Sequence, residues 1–310
     1  MSYSTLQPGM NYAIWESIGY VAWVNIRTIF SPTSHAILLS NPIAHPSVQS
    51  ILIDSLQKSF EKLTLIQIDE ALAETLYRQG YKIYQLGIES EFNIQSFSLE
   101  GRKKASLRHW RNKALKAGVE IEEKKLSEMN KIEVNTLCQE WLKRRGGKEL
   151  SFLTRPMPDK DEIDGRFFWA RQKNRLTGFA GFDPIYSKGN ITGYYHNFDR
   201  ICADAVNGTS VMTVLEAVVK FREEDKKILS LGLSPLAEIK TGYNLTNPLK
   251  IIAETIFKYG EPLYPFKGNA QHKAKYSGET KKTFVASNAK WYDTMIAAAS
   301  ACGLELKPYK

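Results

Sequence analysis

Cysteine is scarce in this sequence: three occur among 310 residues, Cys138, Cys202 and Cys302. None has a CxxC partner or a neighbouring cluster of histidines, which removes a disulfide scaffold and a structural zinc site and leaves packing as their expected role. Long apolar runs are missing as well. The aromatic stretch 12–30 is broken by Glu16, Asn25 and Arg27, so no segment offers the ~20 apolar residues of a membrane-spanning helix. The amino terminus opens Ser2, Tyr3, Ser4, Thr5 rather than with a basic run and an apolar core, so no secretory leader is expected and a cytoplasmic location is. Acidic residues are the minority: 33 Asp plus Glu face 42 Lys plus Arg, a net charge of +9 that favours polyanions such as RNA or an anionic lipid surface. A solvated basic surface with no such partner is the plain alternative.

What is present suits a packed fold. The 43% hydrophobic and 24% charged content belongs to ordinary globular chains, and the length allows one large domain or two moderate ones. Strands are expected at 15–30 and 36–39, with the Asn41-Pro42 pair ending the second. From Pro46 the apolar period becomes helical through Val48, Ile51, Leu52, Leu56 and Phe60. A strand at 63–68, a helix at 70–79 stopped by Gly80, and a strand at 82–88 follow. Between 102 and 116 lie Arg102, Lys103, Lys104, Arg108, Arg111, Lys113 and Lys116 with no acid, while Leu107, Trp110, Ala114 and Leu115 share one side; this reads as a basic amphipathic helix ending at Gly118. A second helix carries Met129, Val134, Leu137, Trp141 and Leu142 inward and ends at Gly146 and Gly147, with Arg144, Arg145 and Lys148 at its terminus. Strands at 167–171, 178–182 and 191–198 form an expected antiparallel meander. A loop, a helix capped by Thr209 or Ser210, and a strand at 228–233 come next. Meander, loop, helix, strand is the order of a GNAT-type acyltransferase core, and the helix-containing, strand-rich first half has room for a degenerate copy of the same unit, although no residue-level repeat links the two.

Four ordered motifs go further than pattern. The segment Ser98-Leu99-Glu100-Gly101-Arg102-Lys103-Lys104 running on through Arg111, the segment Asp204-Ala205-Val206-Asn207-Gly208-Thr209, the segment Leu231-Gly232-Leu233-Ser234-Pro235-Leu236, and Tyr264-Pro265-Phe266-Lys267-Gly268 with Lys273-Ala274-Lys275-Tyr276 together resemble the soluble carboxyl-terminal domain of phosphatidylglycerol lysyltransferases. The resemblance implies an α/β (α+β) fold of tandem GNAT-like domains, mostly antiparallel sheets flanked by helices. It divides the chain into an N-terminal GNAT-like domain over 1–100 and, over 101–310, a basic connecting helix followed by a GNAT-like transferase domain. It also implies transfer of an aminoacyl group from charged tRNA to a hydroxyl of phosphatidylglycerol or a related anionic lipid, with no cofactor and no metal. The protein would then meet the inner membrane face peripherally. This sequence departs from the family where Phe266-Lys267-Gly268 is followed by Asn269 and Ala270 rather than Leu-Arg. Two other readings stand beside it: an acyl-coenzyme A dependent N-acyltransferase, disfavoured because Gly208 stands alone where a paired-glycine phosphate loop would lie, and a non-catalytic module that binds RNA or lipid.

An aminoacyl ester is already activated, so one carboxylate and one or two cations suffice to hold the substrates, move a proton and steady the oxyanion. Asp204 and Lys273 are the expected catalytic pair; Asp204 also suits a turn aspartate before Asn-Gly. Substrate binding falls to Asn207, Gly208, Thr209, Glu216, Lys267, Gly268 and Lys275 by the resemblance. Lys273 and Lys275 share a face only on an extended backbone, since on a helix they diverge. Arg102, Lys103, Lys104, Arg108 and Arg111 suit an RNA backbone, with His109 or Trp110 against an unpaired base. His196, on a strand beside Tyr194 and Tyr195, reads as a packed histidine outside the catalytic set.

Overall fold

Runs of aromatic and β-branched residues along the chain join into one twelve-stranded sheet, ordered β1-β2-β3-β5-β12-β6-β11-β10-β9-β8-β7 with β4 against β2. The computed structural model describes residues 7, 9–28, 31–144, 156–240, 242–243, 247–259 and 265–301. Arg145, Gly146, Gly147, Lys148, Tyr264 and Cys302 lie outside the described residues.

The first half runs β1 (Asn11–Trp15), β2 (Gly19–Thr28), β3 (Ser31–Leu39), β4 (Ile43–Ala44), α1 (Pro46–Gln57), β5 (Lys62–Ile68), α2 (Glu70–Arg78) and β6 (Lys82–Asn93). The single strand expected over 15–30 is a hairpin, because the chain turns at Glu16, Ser17 and Ile18 and β1 pairs antiparallel with β2. Asp69 caps α2 by accepting from the Leu72 amide at 2.8 Å. After the basic helix α3 (Ala105–Lys116), entered through a 3₁₀ turn at Arg102–Lys104, come β7 (Val119–Glu123), α4 (Lys131–Arg144), β8 (Arg166–Gln172), β9 (Arg175–Ser187), β10 (Asn190–Ile201), α5 (Thr209–Glu223) and β11 (Ile228–Pro235). The chain continues as α6 (Asn247–Tyr259), α7 (Phe266–Ala274), β12 (Glu279–Ser287) and α8 (Trp291–Ala301).

The expected meander and helix-then-strand order are present, and they occur twice. In each half an antiparallel meander ends in a strand, β3 or β10, whose parallel neighbour, β5 or β11, follows a helix. The two halves meet at the antiparallel pair β12-β6. There β6 from the first half lies beside β11, and β12 from the end of the chain lies beside β5. Each half's sheet is thus continued by a strand from the other part of the sequence. This mixed α/β architecture, a broad sheet flanked by helices, is the class expected from the sequence.

Alternation along β8 shows how the second half is packed. Phe168 faces α5 with Ala180, Phe182, Tyr194, Val214 and Phe221, while Phe167 and Trp169 face α4 with Phe179, Phe198 and Leu137. Helices on both faces bury β8 from Phe167 to Ala170 and β9 from Leu176 to Pro184. The helix expected to be capped by Thr209 or Ser210 starts instead from Gly208, at φ 108°. A Cβ there would stand 2.1 Å from the Trp110 carbonyl oxygen, so the absence of a side chain is what lets α3 dock against the start of α5. Among the described residues no helix is long and apolar enough to cross a membrane.

Gly208→Ala is expected to cost about 2–4 kcal/mol, combining a left-handed backbone penalty with overpacking against α3. Urea unfolding measures this; a loss under 0.5 kcal/mol on the order of ordinary surface substitutions would contradict the close approach.

Candidate active site

The site begins where two strands part. β10 and β11 pair in parallel at Gly193 with Ile228, Tyr194 with Leu229 and Tyr195 with Ser230, and then separate. Both are irregular at that point: β10 shifts register against β9 between His196 and Phe198, and β11 shifts against β6 between Ser230 and Gly232. Gly232, at φ 77°, leaves room for the Tyr195 hydroxyl, which stands 2.5 Å from the position a Cβ would take. The equivalent pair in the first half stays zipped over five positions, from His35 with Lys62 to Leu39 with Ile66.

Helix α7 packs on β11 and fills the opening with polar groups. Lys273 Nζ donates to the Leu233 carbonyl at 2.7 Å. Burial pulls its ammonium down to about 7, with Glu89 on β6 pulling the other way, and burial likewise raises the Glu89 carboxyl. His272, one residue earlier, has its imidazole lowered by burial against the opposing charge of Asp199. His196 on β10 is lowered to about 4 by burial, again opposed by Asp199, and stacks on Phe182 at 5.0 Å. Tyr276 closes the cluster, its phenol raised by burial and by Asp199. His196 Nε2, His272 Nε2, Asp199 Oδ1 and the Tyr276 hydroxyl are all buried without a hydrogen-bond partner, a concentration of orphaned polar atoms that a purely structural core avoids. Asp199 also lines a cavity of about 330 Å³ with Trp141, Arg144 and Ile201. Among the described residues no cluster of His, Cys, Asp and Glu suits a metal ion.

The expected site residues divide between this opening and the surface. Lys273 lies inside it. Asp204 does not join it: its side chain, 64% exposed on the loop after β10, pairs with Arg175 of the β8–β9 hairpin at 2.8 Å, and the acid beside Lys273 is Glu89. The chain turns away after Ile201, held by the Cys202 amide on the Thr177 carbonyl, and that turn carries Asp204 to the rim. Asn207 is exposed; Thr209 is buried and donates to the Val206 carbonyl at 2.7 Å; Glu216 is half-buried on α5. Lys267 and Gly268 are exposed at the start of α7, Lys267 lining a second cavity of about 360 Å³ with Leu236, Ile239 and Phe257. Because α7 is a helix, Lys273 and Lys275 diverge, and Lys275 Nζ sits 5.9 Å from the Trp110 ring.

The basic segment is sorted too. Lys104 donates to the Tyr276 carbonyl and lies 4.5 Å over Phe97, and Arg108 donates to the Leu99 and Gly101 carbonyls, so these two pin α3 to its neighbours. Arg102, Lys103 and Arg111 are exposed. Trp110 is half-buried against the second-half core, with Lys113 5.4 Å from its ring on the outer side. Sequence reasoning missed Glu89, Asp199, His272 and Tyr276. Tyr276 lies inside a motif already singled out and His272 immediately precedes that motif, which was the available signal; Glu89 and Asp199 are marked by strand register alone.

The folded-state lowering of Lys273 has a stability consequence. Its ammonium titrates at about 7 when folded and near 10.4 when unfolded, so the unfolded chain holds more protons between those values and stability rises with pH across that window. Lys273→Met is expected to remove this slope, worth up to about 4 kcal/mol, in denaturation curves taken from pH 7 to 10; parallel wild-type and variant curves would contradict the burial.

The comparisons with known proteins agree with this architecture. The family model of the phosphatidylglycerol lysyltransferase C-terminal region matches residues 11–287. A phosphatidylglycerol lysyltransferase of Bacillus subtilis (strain 168) is 25% identical over 280 residues, covering 84% of this chain and 32% of its own length. One from Staphylococcus haemolyticus (strain JCSC1435) is 20% identical over 274 residues, covering 84% and 31%. The solved structure of L-PGS from Bacillus licheniformis superposes with a TM-score of 0.78 at 16% identity over 98% of this chain and 91% of that one, a likeness of fold. The chain therefore spans about a third of the curated relatives it matches. With the matched region running through both halves of the sheet, from β1 to the end of β12, the chain belongs to the phosphatidylglycerol lysyltransferase C-terminal family.

Proposed function

We propose that this chain is an aminoacyltransferase that moves an aminoacyl group from charged tRNA to a hydroxyl of phosphatidylglycerol or a related anionic lipid, working as a peripheral domain at the inner membrane face. The observation that carries the reading is Lys273 buried in the opening between β10 and β11, its Nζ on the Leu233 carbonyl with Glu89 as the neighbouring acid, beside a basic helix. The acceptor oxygen forms a bond to the ester carbonyl carbon, and the 3′ oxygen of the tRNA leaves. Lys273, its Nζ free of a proton for about half the molecules near pH 7, takes the proton of the acceptor hydroxyl and returns it to the departing oxygen. No further reactant is required.

Exposed Arg102 and Lys103, in the 3₁₀ turn that enters α3, and exposed Arg111 on α3 flank the Trp110 carbonyl that abuts the start of α5 and the Lys104 that holds the Tyr276 carbonyl. An RNA backbone laid along α3 would bring its 3′ end toward that same opening, with Lys275 and Trp110 at the entrance. Gly208 favours this reading over coenzyme A chemistry, since the space over it is filled by the Trp110 carbonyl rather than left open to a pyrophosphate.

Incubating the protein with labelled aminoacyl-tRNAs and phosphatidylglycerol vesicles is expected to move label into lipid, in a reaction abolished by ribonuclease and rising in rate through about pH 7. Absence of transfer from every charged tRNA, or activity that survives ribonuclease and needs coenzyme A, would contradict it. Replacing Arg102, Lys103 and Arg111 together by Ala is expected to reduce the slope of log affinity for tRNA against log salt by about 2–3. An unchanged slope would remove α3 from the RNA interface.

A further inference from the structure

The two outer strands of the sheet differ in how they meet solvent. At one end β7 carries Glu120, Glu122 and Glu123 among its five residues, and the last two pair with Arg171 and Arg166 of β8. Charged side chains on an outer strand guard it against pairing with another chain. At the other end β1 reads Asn-Tyr-Ala-Ile-Trp, with neither charge nor proline. It pairs with β2 on one side, and among the described residues no strand lies on its other side. Alternation places Ala13 and Trp15 against the core under α1 and α2, which sets Tyr12 and Ile14 on the opposite face. Helix α8 packs on β2 and β3, and at the outer strand Ile14 is 74% exposed and Tyr12 37%. Ile18, in the turn that follows, is 50% exposed. An outer strand presents a row of backbone donors and acceptors, and the partner that matches such a row is another strand.

We propose that β1 is a dimerisation edge, on which β1 from a second copy of this chain adds antiparallel and joins the two sheets. Self-complementarity favours a second copy over a different partner. A twofold axis at Ala13 gives the register that overlaps all five residues. It sets Ala13 opposite its own equivalent, each Tyr12 opposite an Ile14 and each Asn11 opposite a Trp15. The Tyr12–Ile14 contacts are aromatic against β-branched, a stabilising cross-strand pair, and they cover the isoleucine that a single chain leaves in water. Although the chain carries a net charge of +9, no charged residue lies within 11–15, so no like charges meet across the axis. The contact is isologous and closes at two chains. Five residues of strand span only about 16 Å, so the dimer belongs to the weak, transient class of interfaces.

Sedimentation velocity on the full chain, from about 10 µM to about 500 µM, tests this over the range expected of such an interface. The weight-average mass of the wild type is expected to climb from one chain toward two. Ile14→Lys is expected to raise the dissociation constant at least about tenfold by placing an ammonium on the joining edge, and to leave the melting temperature unchanged because the site is exposed. Cross-linking reads the register separately, and decides alone if the lysine variant fails to fold. Directly opposed Cβ atoms stand about 4.5–5.5 Å apart, so Ala13→Cys is expected to form a covalent dimer on mild oxidation well above the wild-type background. Ile14→Cys, opposite Tyr12, is expected to stay at that background. A wild type that remains monomeric throughout, a dimer that Ile14→Lys does not weaken, or an Ala13→Cys chain no more cross-linked than Ile14→Cys would each overturn the proposal. A monomeric wild type whose binding to phosphatidylcholine vesicles falls in Ile14→Lys would likewise overturn it, and would give the same edge to a membrane surface.

Discussion

The parting of β10 from β11 after three residue pairs is the constraint from which the rest of the second half follows. A parallel ladder that stops short strands backbone groups in the interior, and buried backbone groups must find partners. Here side chains supply them: Lys273 takes the Leu233 carbonyl, and Ser230 Oγ accepts from the Gly232 amide at 3.1 Å. Register shifts on both strands turn them outward, and the glycine at 232 admits the Tyr195 hydroxyl. The first half shows the alternative. With β3 and β5 paired over five positions, its polar interior carries a hydrogen-bonded chain from His35 Nε2 to Thr64, Ser287 and Thr294, at 2.8, 2.7 and 2.8 Å. Of two related layouts one is sealed and one is open.

Charge is distributed according to that opening. Lys273 donates to the Leu233 carbonyl and ties α7 to β11, while Lys104 and Arg108 donate to the Tyr276, Leu99 and Gly101 carbonyls and tie α3 to the segments beside it. Arg102, Lys103 and Arg111 on the same basic run face solvent. A single sequence feature therefore has two physical roles, docking the helix and leaving a basic surface beside the opening. The acids show the same sorting, with Asp204 neutralised by Arg175 at the rim and Glu89 and Asp199 held inside.

Much of the architecture was legible because it rests on local signals. The period-3.6 stripe from Val48 to Leu56, the stop at Gly80 and the alternation through Phe167, Phe168 and Trp169 each report burial on a known face. The hairpin hidden in 15–30 was not, since Glu16, Ser17 and Ile18 make a turn without the usual Asn-Gly or Asp-Gly signature. Nor was the placement of β12 between β5 and β6, a long-range pairing that no local pattern encodes. The candidate site was legible in part for the same reason. Lys273 lies in a motif that the sequence presents as a unit, whereas Glu89 reaches it from β6 only through the register of three strands. Asp204 and Asp199 are five residues apart, and what separates them is the end of β10, beyond which the chain turns to the surface.

The central claim is that the opening between β10 and β11 is where the donor's amino-acid end is held. A crystal structure with 3′-aminoacylamino-3′-deoxyadenosine, in which an amide replaces the labile ester, tests it directly. The account predicts density for the aminoacyl group within hydrogen-bond reach of Lys273, with the adenosine beside Trp110. Density for the ligand between β3 and β5, or on a surface remote from α7, would contradict it.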